Sequence, residues 1–273
     1  MNINDIEMRF PDFTDKQSEL LLRTISLLKN CENEISNKKL TNTRNTSHAL
    51  IRVYGRMMLA EYEIFTLLRC GFPESAMGLS RKLYEGLVII DYLIKYKDDN
   101  STIEKFFDAI YISMINTDIN TLKWAEEQGE NIGNKLVCLE NVLKKFENKY
   151  NKKIKKDYWW ADVDNFYELT IKTDYSRNYM YKICSNKTHL NVYDCFIYND
   201  NSENGILIGA TNLGIETPLW FSLLNFGIAT GLIANFFEDS KLIKVSKEIN
   251  ELVNQVDSSV HSNDKKRDNN QRM

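Results

Sequence analysis

Proline is nearly absent: the 273 residues contain three, Pro11, Pro73 and Pro218. Proline removes a backbone donor and clashes with the preceding turn, so a chain with so little of it can run long helices. Histidine is equally sparse, at His48, His189 and His261. No Glu-x-x-His pair occurs, which removes the strongest di-iron signature of a helical bundle. The five cysteines, Cys31, Cys70, Cys138, Cys184 and Cys195, are scattered and form no C-x-x-C pair. An odd, dispersed set fits free thiols in a reducing compartment, not a disulfide framework or a zinc site. Neither G-x-x-x-x-G-K-[ST] nor G-x-G-x-x-G is present, so the usual nucleotide cradles are missing. A metal held by Glu61, Glu85 and His189 is conceivable, but no motif points to it, and no cofactor is expected. Strong positive charge is also lacking. A formal net charge of −3 excludes a surface built entirely for nucleic acid while leaving room for a local basic patch. Met1 to Phe10 carries acids and no apolar core, so no signal peptide is expected and the protein is read as cytoplasmic.

What remains is an ordinary globular composition, 43% hydrophobic and 27% charged, on a chain long enough to bury a substantial core. The fold class it predicts is mainly α: a multi-helix bundle forming one domain over 1–257, with a small β-hairpin before the C-terminal helices. Thr14 or Asp15 opens a helix to about Ile35, and Ser47 caps one from His48 to Arg69. Pro73 starts a helix reaching about Lys97, and Ser101 with Glu104 has capping-box spacing for one to about Glu127. Further helices are expected over about Asn131 to Tyr150, Asp164 to Lys172 and Tyr175 to Leu190. Asp194 to Ala210 holds two β-prone runs around an Asn-Asp-Asn-Ser-Glu-Asn turn, the expected hairpin. Thr217-Pro218 begins an apolar helix, and Ser240 caps a last one ending near Val256. The polar residues 258–273 read as a disordered tail.

Leu219 to Phe237 is uncharged and approaches the length of a membrane span. Asn225 and Asn235 interrupt it, and Glu216, Glu238 and Asp239 flank it. A helix apolar all round also suits the centre of a bundle, and that is the reading adopted here, with no membrane partner.

The helix after Pro73 carries Leu79, Leu83, Leu87, Ile90 and Ile94 at helical spacing. Its other face holds Met77, Arg81, Tyr84, Glu85, Val88 and Tyr92, so it should pack on two sides. Arg81 and Glu85 stand one turn apart, as a register-fixing ion pair or as a guanidinium held ready for phosphate or carboxylate. Tyr181, Ser185 and His189 stack four residues apart on one helix face. His189 suits general acid–base work near neutral pH or, alternatively, capping of helix carbonyls. Lys144, Lys145, Lys149, Lys152, Lys153, Lys155 and Lys156 lie among Phe146, Tyr150, Tyr158, Trp159 and Trp160. Cations and aromatic rings together suit RNA, by phosphate attraction and base stacking, although a solvated helix end has the same composition.

Arg81-Lys-Leu-Tyr-Glu85, preceded by Glu74-Ser-Ala76, resembles the first signature of the bacterial domain-of-unknown-function family 5677. Trp159-Trp160, Tyr179-Met-Tyr181, Cys184-Ser185 and His189 resemble its second. The resemblance runs over roughly Ala49 to Phe237 and implies that Arg81, Glu85, Tyr181, Ser185 and His189 form one feature. It supplies no activity. A wider resemblance is to the HEPN helical proteins, many of them RNA-cutting toxins or phage-defence components, marked by an arginine and a histidine a few residues apart that meet across a dimer. This chain lacks that spacing: Arg177 is too far from His189, and Arg44-Asn-Thr-Ser-His48 is one residue short. Only Arg81 meeting His189 through the fold would replace it. The reading is therefore a homodimeric stress- or phage-defence protein that binds RNA or another phosphate-bearing ligand, with metal-independent RNA cleavage as its activity. A non-catalytic interaction protein and a small-ligand sensor are the alternatives.

Overall fold

The computed structural model describes residues 11–38, 44–151, 154, 158–175, 181–182, 184–185 and 214–270. The helices are α1 (Asp15–Ser36), α2 (Thr46–Arg69), α3 (Pro73–Lys95), α4 (Asn100–Glu127), α5 (Lys135–Tyr150) and α6 (Phe166–Ile171), then α7 (Glu216–Phe236) and α8 (Ser240–Asn270). A 3₁₀ turn, Trp159–Ala161, precedes α6. The protein is mainly helical, as expected, with no strand among the described residues. The hairpin expected at Asp194 to Ala210 lies outside them.

The chain groups into two compact units, one of Met1–Leu40, Leu50–Asp91 and Tyr175–Met273, the other of Thr41–Ala49 and Tyr92–Asp174. Two of the divisions, at Ala49–Leu50 and Asp91–Tyr92, fall inside α2 and α3 and not at a proline- or serine-rich linker, so composition does not mark them.

In the first unit α7 is the central helix. It buries Leu219, Phe221, Leu223, Phe226, Ala229, Ile233 and Ala234 and leaves a stripe of Trp220, Leu224, Ile228 and Leu232 part-exposed, the pattern of a helix covered on most sides. It packs on α8, which packs in turn on α1. Gly227 and Gly231 permit the approach: a Cβ on Gly227 would lie 2.8 Å from Ile249 Cγ2, and one on Gly231 3.0 Å from Ser246 Oγ. Ser246 Oγ donates to the Gly227 carbonyl at 3.1 Å, so the contact is hydrogen-bonded as well as close. Thr14 and Gln17 form a capping box at the start of α1, and Gln17 Nε2 reaches Glu216 Oε1 at 2.9 Å, joining the starts of α1 and α7. Tyr54 stacks on Phe226 and shares a 2.7 Å hydrogen bond with Thr230. On α3, Met77, Leu83, Tyr84, Leu87, Val88 and Ile90 are all buried, which accounts for its apolar residues on two faces.

The second unit is built on aromatic packing. Trp160 meets Tyr92 and Phe106 edge-on, with centroids 5.3 and 4.9 Å away, and Trp159 packs against Tyr150 at 4.8 Å. Beneath them Asp108, 3% exposed, takes hydrogen bonds from Arg44, from Lys149 Nζ at 2.7 Å and from Tyr150 OH at 2.6 Å.

Several helix ends differ from expectation for local reasons. Asn45 Oδ1, not Ser47, accepts from His48 N at 2.9 Å at the start of α2. Asp99, not Ser101, caps α4, its carboxylate accepting from Ser101 N at 3.0 Å and Thr102 Oγ1 at 2.6 Å. Before α5, Asn131 Oδ1 takes the Gly133 N–H at 3.1 Å in a turn that needs positive φ at Gly133, 57°, so the helix begins at Lys135. α8 continues to Asn270, beyond the end expected near Val256. The polarity that suggests disorder there includes Lys265, Lys266 and Arg267, which are good helix formers.

Candidate functional site

Arg81 and Glu85 lie one turn apart on α3, and Arg81 Nε donates to Glu85 Oε1 at 2.8 Å. The same carboxylate oxygen accepts from Tyr181 OH at 3.1 Å. Arg81 Nη1 donates to Ser185 Oγ at 3.2 Å, and its guanidinium carbon stands 5.1 Å from the centre of the Tyr181 ring. Tyr84 also packs on Tyr181, centroids 5.2 Å apart, and donates to the Tyr175 carbonyl at 3.0 Å. Four of the five residues singled out from the sequence thus meet. The fifth, His189, lies outside the described residues.

Arg81 and Glu85 are 31% and 25% exposed, neither dry nor free in solvent. Partial burial works against the Arg81 charge, but Glu85 and Tyr181 outweigh it and hold its proton more firmly than usual. Burial, and then the Glu85 carboxylate, push the Tyr181 phenol up to about 12, so at neutral pH it donates to Glu85 and does not ionise. Cys184, beside Ser185, is fully buried, and its thiol is pushed up to about 12 by that burial. It is no nucleophile at neutral pH.

The cluster borders a cleft of about 490 Å³ lined by Leu67, Ser75, Gly78, Leu79, Arg81, Lys82 and Glu85. That volume is of the size that holds small ligands. Ser75, Gly78, Lys82 and Glu85, which line the cleft, recur at helical spacing of three and four. The signal was present in the sequence, but spacing alone does not separate a cleft wall from a packed face.

The lysine stretch gives a mixed result. Lys144 and Lys145 are exposed on α5. Lys149 is neutralised: it bridges Asp108 and Glu104, each at 2.7 Å, and these partners raise its pKa. Trp159 and Trp160 are buried, and Tyr150 is hydrogen-bonded to Asp108, so these rings support the second unit's core and offer no stacking surface. Lys152, Lys153, Lys155 and Lys156 lie outside the described residues.

Among the described residues no group of three His, Cys, Asp or Glu side chains is placed to hold a metal. Glu61 belongs instead to the interior of the first unit. It is 0% exposed; Ser222 Oγ donates to its Oε1 at 3.0 Å, while Oε2 has no hydrogen-bond partner. Burial raises this carboxyl to about 8, with the Ser222 bond opposing.

The model of a family of unknown function, DUF5677, matches residues 47–206, more than half of the chain and including Arg81, Glu85, Tyr181 and Ser185. No curated protein and no solved structure matches.

Proposed function

Since the chain belongs to the family of unknown function DUF5677, whose description carries no activity, we propose from the site itself that the protein binds a phosphate-bearing ligand at Arg81 and that this ligand is RNA. The observation that carries the reading is a guanidinium fixed on three sides at the edge of a cleft. Glu85 holds Nε, Ser185 holds Nη1 and the Tyr181 ring covers one face. Arginine has five N–H donors in a planar fork, and these two bonds leave others for a phosphate. The positioning groups remove rotamer freedom that a free arginine would lose on binding. Lys82 lies on the same cleft wall, where it is paired with Glu63 at 3.5 Å, so Arg81 carries the reading. The finer form of the proposal is a metal-independent ribonuclease of HEPN type, in a stress- or phage-defence role. Arg81 there binds the scissile phosphate, Glu85 orients Arg81, and His189 transfers the proton.

A second reading has its own support. The contacts that aim Arg81 are also those of a structural lock between α3 and the segment carrying Tyr181 and Ser185. RNA binding and cleavage by wild type, Arg81→Ala, Arg81→Lys and His189→Ala, each with a thermal melt and a chelator control, separate the two. The proposal expects Arg81→Ala to weaken RNA binding roughly 10- to 100-fold, the worth of a charge-assisted hydrogen bond, with only a small fall in melting temperature. Arg81→Lys should recover little, because it lacks the fork. RNA cleavage that survives chelation and disappears in His189→Ala would support the ribonuclease. Absence of RNA binding by the wild type, together with a marked loss of stability in Arg81→Ala, would leave the lock.

A further inference from the structure

Among the described residues, the second unit carries a helix face that no other element covers. α5 is amphipathic in sequence yet contains no buried residue. On α4, beside it, Met114 is 61% exposed and Trp124 60%, with Ile110 also exposed. These positions belong to a series, Ile110, Met114, Thr117, Thr121 and Trp124, spaced by four, three, four and three. That is the repeat of a coiled-coil seam, which turns one helical face toward another helix. The threonines are compatible with it. Thr117 Oγ1 donates to the Ser113 carbonyl and Thr121 Oγ1 to the Thr117 carbonyl, both at 3.0 Å, so their hydroxyls are satisfied within α4. A groove of about 580 Å³ runs alongside, lined by Asp118, Thr121, Leu122, Asn134, Lys135, Cys138 and Leu139.

The charges select the occupant. The C-terminal end of α4 continues into Glu126, Glu127 and Glu130, all exposed, while nearby Lys123 is paired with Glu140. The opposite end of the α4–α5 pair is identified by Tyr111 packing on Phe146, and it presents exposed Lys144 and Lys145. A second copy laid antiparallel on the seam brings the acidic end of each chain to the basic end of the other. A parallel copy would set acid against acid.

We infer that α4 is the dimerisation helix of this protein, its Ile110–Trp124 seam packing antiparallel against the same seam of a second copy. The arrangement is self-complementary, as a two-fold interface requires. It places Ile110 of one chain near Trp124 of the other and covers the groove beside α5. It does not depend on the RNA reading.

Sedimentation of the full chain over a range of concentrations tests the inference, with Met114→Glu and Trp124→Ser as variants and circular dichroism to show that their helix content is intact. The wild type should sediment as a dimer that weakens as salt rises, and both variants should shift to monomer. Reversing Glu126 and Glu127 to lysine should weaken the dimer, and adding Lys144→Glu and Lys145→Glu should restore it. In a Cys138→Ser background, a chain with Ile110→Cys should form a disulfide with a chain carrying Trp124→Cys, and not with itself. A wild type that stays monomeric at high micromolar concentration overturns the inference and leaves the seam to a different protein. A dimer unmoved by Met114→Glu places the interface elsewhere, and self-linked Ile110→Cys chains make the pairing parallel; either result rejects it.

Discussion

Glu61 is the least comfortable residue in the first unit, a carboxyl without solvent and with one oxygen unpartnered. Unfolded, it loses its proton near the ordinary value of 4.5; folded, it keeps it to about 8. Between those values the folded state holds the extra proton, so stability falls as pH rises, by up to about 1.4 kcal/mol per pH unit, and levels off above 8. Glu61→Gln keeps the shape without the charge. Denaturant titrations from pH 5 to 8 should show that slope in the wild type and lose it in the variant, which should be the more stable protein at pH 8. Equal slopes would mean that Glu61 ionises freely and that water reaches it. Its burial could not be read from the sequence, where a glutamate on α2 looks like any solvent-facing acid. The Arg81–Glu85 pair could be, because residues four apart on a helix must meet. Ser185 reaches Arg81 across 104 positions, and only the family likeness joined them beforehand. The pairing of Lys149 was out of sight for a related reason: its partners Glu104 and Asp108 lie on another helix.

Among the helices, α7 shows most directly how close backbones can come. A side chain at Gly227 would strike Ile249, a β-branched residue with little freedom to move away. Gly227→Ala should therefore cost about 1–3 kcal/mol through overpacking. Gly55 on α2 is the control, since nothing lies within 4 Å of an added Cβ there. Gly55→Ala should raise stability by about 0.5–1 kcal/mol through helix propensity. Chemical denaturation of both variants checks the pair, and losses of the same size would remove the packing argument. The G-x-x-x-G spacing was visible beforehand, but the neighbour it admits was not. The helices themselves were well marked by proline, glycine and apolar spacing. Their starts were less so: the caps expected at Ser47 and Ser101 sit two residues inside helices capped by Asn45 and Asp99, whose side chains are equally able acceptors.

Taken together, the two units share an acid limit. Burial opposes ionisation of Asp108 and Asp239, yet their cationic and hydrogen-bonding partners outweigh it, and both carboxyls sit below their usual range. The stability they contribute is present above the ordinary aspartate value of 3.8 and is lost as pH falls through the lowered ones. With Glu61 acting in the opposite sense, melting temperature against pH should pass through a maximum below neutrality. Asp108→Asn should flatten the acid limb and cost about 2 kcal/mol at pH 7, less than a fully buried pair because Arg44 and Lys149 are half-exposed. A limb unchanged in that variant would assign acid sensitivity to other carboxylates. The mainly α class followed from scarce proline and helical periodicity. The division into two units did not, because helical continuity hides a boundary from composition.

Cys184 gives the first unit a clock. Its sulfur is enclosed and protonated, so a thiol reagent can reach it only when the unit opens around it. The rate of its alkylation therefore counts those openings one by one. Its chain neighbour Ser185 is bonded to Arg81, and anything that grips the guanidinium should slow that count, whether or not it leaves any chemical product.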